Sequence, residues 1–354
     1  MRVAICHPQV PFTFGGAEGH VRRLDRALKE AGHEADIVSV PFTWHPPSQL
    51  VHQMVTWRTL DLTEFAGWRI DMVIALKFPA YLVRHPNKVV WLIHQHRTAY
   101  ELWDHPLGSD LRLSMRHQGE DGLVARRMVH HADRLALGEA SRLFTSSENV
   151  LRRLERSVAL SGEVLHHRSA LTETLLDRAP GSLGDYVLFP SRLERLKRQD
   201  LAIEAMRHVQ SDLRLVLVGR GADADRLRAM IGDLGLSSRV DLLENVSDEA
   251  LARLYLGALA VYYGPFDEDY GYVTLEGMAA GRLVIVPSDS GGPLELVRGE
   301  ENGVVVEPRP DAIAEAFDRA FEDRALVADL GGTAREFIRA KIPTWPAVVR
   351  RLLD

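Results

Sequence analysis

The sequence predicts an α/β protein made of two doubly wound, Rossmann-like domains in tandem. Short apolar runs of strand character alternate with helical patterns along both halves, and this alternation favours mostly parallel sheets covered by helices on both faces. The 354 residues exceed what one hydrophobic core usually supports, so two domains of about 150 to 180 residues are expected. Open sheets bind ligands at the carboxyl ends of their strands, so facing domains would place a site in the cleft between them.

The first domain is predicted to occupy residues 1–167. It opens with an apolar strand at 3–6, and a loop ending in two glycines leads into a helix that stops at Gly32. Further strands are expected at 35–40, 72–76, 89–93, 143–146 and 164–165, and further helices at 123–138 and 149–157.

Residues 168–184 are predicted to connect the domains, because they have little strand character and end in turn-forming Gly and Pro. The second domain is predicted to span 185–335 and to repeat the alternating plan. Its strands are expected at 186–190, 213–219, 240–243, 259–263 and 283–287, and its helices at 199–208, 223–234, 248–256 and 274–280.

Charge and histidine are distributed unevenly along the chain. Residues 1–180 carry 22 Lys and Arg against 20 Asp and Glu, whereas residues 181–354 carry 21 against 29. Of the 15 histidines, 14 lie in the first half. Neither half has the large positive balance of a nucleic-acid-binding protein, so no nucleic acid is expected as a partner.

The single cysteine, Cys6, excludes a disulfide framework and is typical of a reducing compartment. The N-terminal apolar run is too short for a signal peptide, and no apolar stretch approaches the roughly 20 residues that a membrane helix needs. We therefore expect a cytoplasmic protein.

Two adjacent glycines, Gly15 and Gly16, directly open the first helix. They lie nine residues beyond the first strand, unlike the G-x-G-x-x-G dinucleotide fingerprint, which occupies the strand-to-helix turn itself. Backbone amides at a helix N-terminus can approach an anion closely, and the helix dipole favours negative charge there. A permissive loop before a helix is the alternative interpretation of this pair.

A basic segment, SRLERLKRQD at 191–200, follows the first predicted strand of the second domain. Arg192 can bind a phosphate with two parallel hydrogen bonds, and Lys197 can supply a mobile point charge. A solvated basic surface is the alternative, but the position at a strand end favours phosphate binding.

Two acids, Glu268 and Glu276, are eight residues apart around Gly271. The first lies in a loop and the second in the helix that follows, whose early amides at 271–274 have no intrahelical partner. This arrangement can hold a phosphate on the amides, a sugar hydroxyl on Glu268 and a ribose hydroxyl on Glu276. Taken alone, the two acids are equally compatible with a solvated loop and a dipole-complementing helix.

Taken together, these segments resemble the retaining nucleotide-sugar glycosyltransferases of the GT-B fold, family 4, also described as glycosyl transferases group 1. The resemblance covers nearly the whole chain and rests on motifs in the expected order. These are Gly-Gly with AEGHV behind it, IHQH at 93–96, SRLERLKRQD, VGRGAD at 218–223, NVSDEALARLY at 245–255, and the two spaced acids.

The resemblance implies roles for the donor site. Gly15 and Gly16 would line the donor diphosphate from the first domain, while Arg192 and Lys197 would neutralise it from the second. Glu276 would bind the ribose and Glu268 the hydroxyls of the transferred sugar. The amides of Gly271, Tyr272 and Val273 would extend the diphosphate site, the backbone at Asn245 and Val246 would meet the base, and His94 would lie near the transferred sugar.

The resemblance also implies an acceptor-side first domain and a C-terminal helix, 336–354, that crosses back onto it. Three positions depart from the usual family pattern: Asp269 stands where Gly is usual, and Tyr270 and Thr274 stand where Phe and Pro are common. These substitutions are compatible with the fold and bear on donor choice.

A metal site is not expected. His94 and His96 are two apart at a strand end, where both side chains can face one way, but no third ligand follows with convincing spacing. The family resemblance implies neutralisation by basic side chains and amides, so neither a metal nor another cofactor is expected beside the nucleotide-sugar co-substrate.

The predicted activity is therefore transfer of a hexosyl unit from a UDP- or GDP-sugar to an acceptor hydroxyl, with retention and without a carboxylate nucleophile. The acceptor, a saccharide, a lipid-linked saccharide or a small molecule, is not identified by the sequence. Glycan, glycolipid or glycosylated-metabolite biosynthesis is the expected context.

Other classes remain open at this point: a GT-B epimerase or phosphorylase, a catalytically silent binding protein, and a nicotinamide dehydrogenase, which the missing fingerprint disfavours. Weak peripheral membrane contact through the Arg-rich helices VRRLDRALK and VLRRLER is a separate hypothesis, weighed against ordinary solvated helix faces.

Overall fold

The chain folds into two units, one of which is assembled from both ends of the sequence. The structure, a computed structural model, describes residues 1–13, 15–108, 112–113 and 120–354. Unit 1 combines Met1–His167 with Thr344–Asp354, and unit 2 is Arg168–Pro343. The C-terminal segment therefore belongs to the unit in which the chain begins.

Unit 1 is built on a six-stranded parallel sheet. The strands of unit 1, in this sheet and in a separate hairpin, are β1 (Arg2–Gln9), β2 (Glu34–Pro41), β3 (Glu64–Phe65), β4 (Trp68–Arg69), β5 (Met72–Ala75), β6 (Lys88–Leu92), β7 (Arg142–Thr145) and β8 (Glu163–Val164). The sheet order is β2-β1-β5-β6-β7-β8, while β3 and β4 form a separate antiparallel hairpin. Its main helices are Gly16–Glu30, Pro47–Thr59, Asp121–Gly138, Glu148–Val158 and Trp345–Leu353.

Unit 2 contains a second six-stranded parallel sheet. Its strands are β9 (Tyr186–Pro190), β10 (Arg214–Val218), β11 (Val240–Leu243), β12 (Ala260–Tyr262), β13 (Leu283–Pro287) and β14 (Val304–Val306), in the order β11-β10-β9-β12-β13-β14. Its helices are Ala170–Leu176, Gln199–Ala205, Ala224–Asp233, Asp248–Gly257, Tyr272–Ala279, Pro293–Leu296, Pro310–Glu322 and Arg324–Lys341. The predicted plan of two parallel sheets with covering helices is confirmed.

The central strands are apolar throughout because helices cover both faces of each sheet. Every residue of β5, β6 and β13 is buried, including Lys88 at the start of β6. The helix Gly16–Glu30 buries Val21, Leu24 and Leu28 along one face, at the spacing the sequence predicts.

The C-terminal helix of unit 1 completes the same core. Trp345, Val348, Val349 and Leu352 are buried in one cluster with Val21 and Leu24. The 342–344 turn that precedes this helix contains Pro343, in keeping with a break before the helix.

Two predicted segments need correction. Residues 168–184 are not a bare connection, because they contain the helix Ala170–Leu176, which packs into unit 2 and buries Leu175 and Leu176. The hydroxyl of Ser169 caps this helix by accepting a hydrogen bond from the Thr172 amide. A short helix of this kind is stabilised mainly by tertiary packing, which local sequence does not show.

The segment 336–354 is not one crossover helix. Its first part continues the helix Arg324–Lys341 of unit 2, and only Thr344–Asp354 joins unit 1. The helix predicted at 274–280 also begins earlier, at Tyr272, because Gly271 adopts the left-handed conformation and starts it. Sequence reasoning also missed the helices Pro47–Thr59, Pro310–Glu322 and Arg324–Lys341, together with the strand β14.

Every helix in the described part of the chain is too short or too polar to cross a membrane.

Candidate active site

The strand order of unit 2 reverses between β9 and β12. These strands pair directly, although β10 and β11 come between them in the chain. Loops that leave such a point in opposite directions open a crevice at the carboxyl edge of the sheet, where doubly wound folds bind ligands. The segments that follow β9 and β12 contain Arg192, Lys197 and Glu268, so three predicted site residues lie at this edge.

Lys197 and Glu268 form a direct ion pair at this edge. The ammonium of Lys197 donates a hydrogen bond to Oε2 of Glu268 and a second one, of 3.1 Å, to the hydroxyl of Tyr263. The hydroxyl of Tyr263 in turn donates to the same carboxylate oxygen at 2.9 Å. The structure therefore brings together two charged residues that are 71 positions apart, with a tyrosine that sequence reasoning missed.

Tyr263 remains a hydrogen-bond donor over the physiological pH range. Burial and the neighbouring Glu268 carboxylate raise the pKa of its hydroxyl well above the ordinary value. Its position directly after β12 is the signal that could have identified it, since carboxyl strand ends are where such sheets present functional groups.

Arg198 joins the two loops that carry the ion pair. It has a left-handed backbone, with φ of 55°, and its guanidinium donates to the carbonyls of Gly264 and Pro265 at 2.8 and 2.9 Å. It also makes a bidentate ion pair with Asp289 at 2.6 and 2.7 Å. Arg198 is thus committed to holding the loop after β9 against the loop after β12.

Arg192 lies in the same segment but is not part of this network. Its side chain is about half exposed and contacts Glu194, with Nη2 3.1 Å from Oε1. A ligand could bind this exposed guanidinium if the ion pair with Glu194 broke. Ion pairs on the protein surface are usually weak, so breaking this one would cost little.

The glycines of VGRGAD have a structural explanation. A Cβ on Gly219 would lie 1.9 Å from the Ser191 carbonyl oxygen, and one on Gly221 would lie 2.1 Å from the carbonyl oxygen of Leu193. These glycines therefore let the loop after β10 pack directly on the backbone of the loop after β9.

The helix Tyr272–Ala279 begins at the same edge. Gly271 precedes it with φ of 87°, and a Cβ there would lie 2.8 Å from Cγ of Pro293. Glycine is required on both counts. Tyr272 and Val273 occupy the first turn and are half-buried, so their amides belong to the positive end of the helix.

Glu276 is buried within this helix and is held at both oxygens. Oε1 accepts a 2.7 Å hydrogen bond from the hydroxyl of Ser169, and Oε2 accepts a 2.8 Å bond from the hydroxyl of Tyr255. Burial outweighs these hydrogen bonds and raises the pKa of Glu276 to about 7. The carboxyl group is thus fixed in orientation by two hydroxyl donors.

Val246 follows β11 at the same edge of the sheet. It is half-buried and packs against the core of unit 2, and Asn245 before it has a left-handed backbone with φ of 59°. The structure places this pair in a tight turn at a strand end, which exposes backbone more than side chain.

In unit 1, Gly15 and Gly16 lie at the start of the helix Gly16–Glu30, as predicted. Gly15 has an extended backbone that any residue can adopt, with φ of −158°. The pair is therefore not explained by backbone strain.

A polar cluster that sequence reasoning missed lies beside these glycines. The strand order of unit 1 reverses between β1 and β5, and His7 on β1, Glu18 in the first helical turn and Lys77 after β5 meet there. Oε1 of Glu18 lies 3.5 Å from Nε2 of His7 and 3.7 Å from Nζ of Lys77. We call these three residues the unit 1 polar cluster; the strand-end rule that selected Arg192 would also have selected Lys77.

His94 follows β6 and is half-buried. Its Nδ1 lies 2.6 Å from the carbonyl oxygen of Gln95, and because a carbonyl only accepts, Nδ1 must carry the proton. His96 is also half-buried, with its Nε2 3.0 Å from the Thr98 hydroxyl, and burial lowers its pKa to about 3.

The segment around His94 is anchored to a buried carboxylate. Asp133 accepts hydrogen bonds from Tyr81 at 2.7 Å, Tyr100 at 2.7 Å and Gln95 at 2.9 Å. Burial raises the pKa of Asp133 to about 6 despite these three donors. Because Gln95 is the neighbour of His94, this network fixes the backbone on which the histidine ring is held.

Within the ranges that the structure describes, no three His, Cys, Asp or Glu side chains are grouped in a way that would hold a metal ion. Metal independence itself stays a prediction.

Residues 182–337 match the family model of the glycosyl transferases group 1. The matched segment lies within unit 2, which spans Arg168–Pro343. Among curated proteins, it is 26% identical over 377 residues to an uncharacterized glycosyltransferase of Methanocaldococcus jannaschii, covering 97% of this chain and 94% of that protein. It is also 26% identical over 374 residues to a D-inositol 3-phosphate glycosyltransferase of Pseudarthrobacter chlorophenolicus, covering 94% and 87% respectively.

Solved glycosyltransferases share the fold of this chain. The sucrose-phosphate synthase of Thermosynechococcus elongatus superposes with a TM-score of 0.79 at 20% identity, covering 99% of this chain and 97% of that one. Anabaena HepE, solved in complex with UDP-glucose, superposes with a TM-score of 0.69 at 17% identity over 99% and 98%. The predicted GT-B fold class is confirmed, while the roles of individual site residues stay predictions.

Proposed function

We propose that this group 1 glycosyltransferase moves a glycosyl unit from a nucleoside diphosphate sugar to an acceptor hydroxyl, with retention at the anomeric carbon. One observation carries the proposal: Lys197 and Glu268 meet where the strand order of the family-matched unit reverses. A cation, a carboxylate and a helix N-terminus at one sheet edge suit a ligand that combines phosphate with sugar hydroxyls.

We propose the following donor roles, which these positions support. Lys197 and Arg192 neutralise the diphosphate, Glu268 accepts hydrogen bonds from the transferred sugar, and Glu276 does so from the ribose. The amides of Gly271, Tyr272 and Val273 extend the diphosphate site and Val246 meets the base, while the contact of Gly15 and Gly16 with the diphosphate stays a prediction. The orientation of Glu276 by Ser169 and Tyr255 supports its role, because a fixed carboxylate loses little entropy on binding.

In the proposed reaction, the bond between the anomeric carbon and the diphosphate oxygen breaks and the acceptor oxygen bonds to the same face of that carbon. The acceptor proton passes to the departing phosphate oxygen, and the nucleoside diphosphate leaves. Positive charge from Lys197 and Arg192 stabilises the negative charge that develops on the leaving group. His94 is proposed to lie near the transferred sugar.

A UDP- or GDP-sugar is the proposed donor, with no metal or other cofactor. The UDP-glucose complex of HepE supports a uridine donor by analogy. The acceptor is proposed to be a saccharide, a lipid-linked saccharide or a small molecule in glycan, glycolipid or metabolite glycosylation.

We place the reaction in the cytoplasm. Peripheral membrane contact receives limited support, because the apolar faces of the helices Gly16–Glu30 and Glu148–Val158 are buried in unit 1. Exposed charges on these helices, such as Arg26 and Arg152, are the groups that would meet anionic lipids.

The decisive variant is Lys197→Ala. We expect kcat for release of the nucleoside diphosphate to fall about 100-fold or more, because one lost electrostatic donor to a developing anion typically costs that much. The measurement is coupled UDP or GDP release with a panel of UDP- and GDP-sugars, with circular dichroism as the folding check.

Arg207→Ala is the matched control. Arg207 is an exposed cation of unit 2 that pairs with Glu204 at 3.1 Å and follows the helix Gln199–Ala205, away from the carboxyl edge. It should keep the wild-type rate. A folded Lys197→Ala chain with an unchanged rate would contradict the diphosphate assignment.

A further inference from the structure

We propose that the unit 1 polar cluster of His7, Glu18 and Lys77 binds the hydroxyl groups of an uncharged polyol or saccharide acceptor. The inference rests on the proposed function and narrows it, because it separates uncharged acceptors from phosphorylated ones.

The position of the cluster favours a ligand. His7 lies on β1, Glu18 lies in the first turn of the helix Gly16–Glu30, and Lys77 lies two residues after the end of β5. The three residues meet where the strand order of unit 1 reverses. This is the position at which open parallel sheets leave a crevice at their carboxyl edge. Unit 2 carries the Lys197 and Glu268 pair at its own reversal point, so the two sheets use equivalent positions.

His7 supplies an independent observation. It is 1% exposed, and neither of its ring nitrogens makes a hydrogen bond to any residue that the structure describes. The closest acceptor, Oε1 of Glu18, lies 3.5 Å from Nε2, at the outer limit of a hydrogen bond. Burying a polar ring without partners is costly, and a ligand hydroxyl in the cluster would satisfy it.

The charges of the cluster indicate what kind of ligand it takes. Burial would raise the pKa of Glu18, but the His7 ring and the Lys77 charge outweigh burial and lower the pKa to about 2. For His7, burial lowers the pKa of the ring, so the ring is neutral. The Glu18 carboxylate and the Lys77 ammonium then cancel, and no net positive charge remains for a phosphate.

Glu18 places a carboxylate inside the cluster. It lies three residues after Gly15, in the first turn of the helix, where the helix dipole stabilises its negative charge. An acceptor phosphate in direct contact with this carboxylate would be repelled by it. A hydroxyl avoids this repulsion, because it donates to Glu18 and accepts from Lys77.

The test compares Glu18→Gln with the wild-type chain. Binding of myo-inositol and methyl α-D-glucopyranoside is measured by saturation-transfer NMR, and binding of UDP is followed separately by thermal shift. We expect the polyol affinity to fall about tenfold or more, because a charge-assisted hydrogen bond becomes a neutral one. The UDP shift should stay unchanged.

Glu139→Gln is the matched control. Glu139 is another carboxylate of unit 1 that pairs with a buried lysine, with Oε2 3.4 Å from Nζ of Lys88, but it lies near the opposite, amino end of β6. It should leave both readouts unchanged. If Glu18→Gln does not fold, the double variant Glu18→Gln with Lys77→Met removes both charges together and takes its place.

Three results would overturn the inference: no polyol binding by the wild-type chain, equal polyol binding by Glu18→Gln, or tighter binding of myo-inositol 1-phosphate than of myo-inositol by the wild-type chain. The absence of any thermal shift on adding UDP to the wild-type chain would instead count against the proposed function. The two failures are therefore distinguishable.

Discussion

Two neighbouring tyrosines at the end of β12, Tyr262 and Tyr263, place their hydroxyl groups in different surroundings. The Tyr263 hydroxyl contacts both Lys197 and Glu268, at 3.1 and 2.9 Å. The Tyr262 hydroxyl is buried without a hydrogen bond to the described residues. The same side chain is therefore part of the site at one position and part of the core at the next.

Replacing each tyrosine with phenylalanine tests this difference. Tyr263→Phe should lower kcat/KM about tenfold, because it removes the hydroxyl that hydrogen-bonds to both Lys197 and Glu268. We expect the loss of these hydrogen bonds to cost roughly 1 to 2 kcal/mol. Tyr262→Phe should leave activity unchanged and keep or slightly raise the free energy of unfolding, since no hydrogen bond is lost. Steady-state kinetics and urea unfolding measure both effects; equal activity losses in the two variants would contradict the assignment.

At the scale of elements, the helix Arg324–Lys341 depends on one close approach. A Cβ on Gly331 would lie 2.3 Å from the carbonyl oxygen of Gly281, whereas a Cβ on Gly332 would meet nothing within 4 Å. The guanidinium of Arg335 in the same helix donates to the carbonyls of Leu176 and Arg178 at 2.8 and 2.6 Å. These contacts hold the segment 168–184 in unit 2.

Adjacent glycine-to-alanine substitutions should therefore have opposite effects. Gly331→Ala should lower the free energy of unfolding by about 2 kcal/mol or more, because backbone on both sides must move. Gly332→Ala should raise it by about 0.5 to 1 kcal/mol through helix propensity. Urea unfolding of both variants provides the measurement, and a stabilising Gly331→Ala would show that the helix does not pack this closely.

For the molecule as a whole, buried histidines link the stability of unit 1 to pH. His20 and His167 are buried together against Trp91 and Trp345, with their ring centroids 4.2 Å apart. Burial lowers the pKa of His20 to about 3 and that of His167 well below its ordinary value. Both rings are thus neutral in the folded protein, and they pack against Trp345 of the C-terminal helix and Trp91 of β6.

The sign of the pH effect follows from these directions. Below about pH 6.5 the unfolded histidine takes up a proton and the folded one does not, so unit 1 loses stability as the pH falls towards 3. At pH 5 this loss amounts to about 2 kcal/mol for one fully shifted histidine. Asp133 and Glu276 act in the opposite sense, because their raised pKa values favour the folded state as the pH falls from about 6 and 7.

His20→Phe should therefore weaken the pH dependence. Between pH 7.5 and pH 5, the variant should lose about 2 kcal/mol less of its unfolding free energy than the wild-type chain. Hydrogen exchange of unit 1 at the two pH values measures the difference. His208→Phe, which changes an exposed histidine of unit 2, is the control, and an unchanged pH dependence in His20→Phe would refute the assignment to His20.

Much of the fold was predictable because it depends on local pattern. The apolar strands, the glycine-started helix after 271 and the basic segment after β9 follow from residue types over windows of five to fifteen positions. The helix Ala170–Leu176 and the division of 336–354 were not predictable, because each depends on which distant surface covers it.

The candidate site shows the same division between local and distant effects. Sequence pattern alone identified the chemical groups: cations at a strand end, two spaced carboxylates and glycines before helices. The tertiary structure alone decided that Lys197 pairs with Glu268, that Tyr263 joins them, and that His7, Glu18 and Lys77 form a second cluster. The physical reason is that strand order and burial, which set these contacts and shift the pKa values, arise from pairings between segments far apart in the chain.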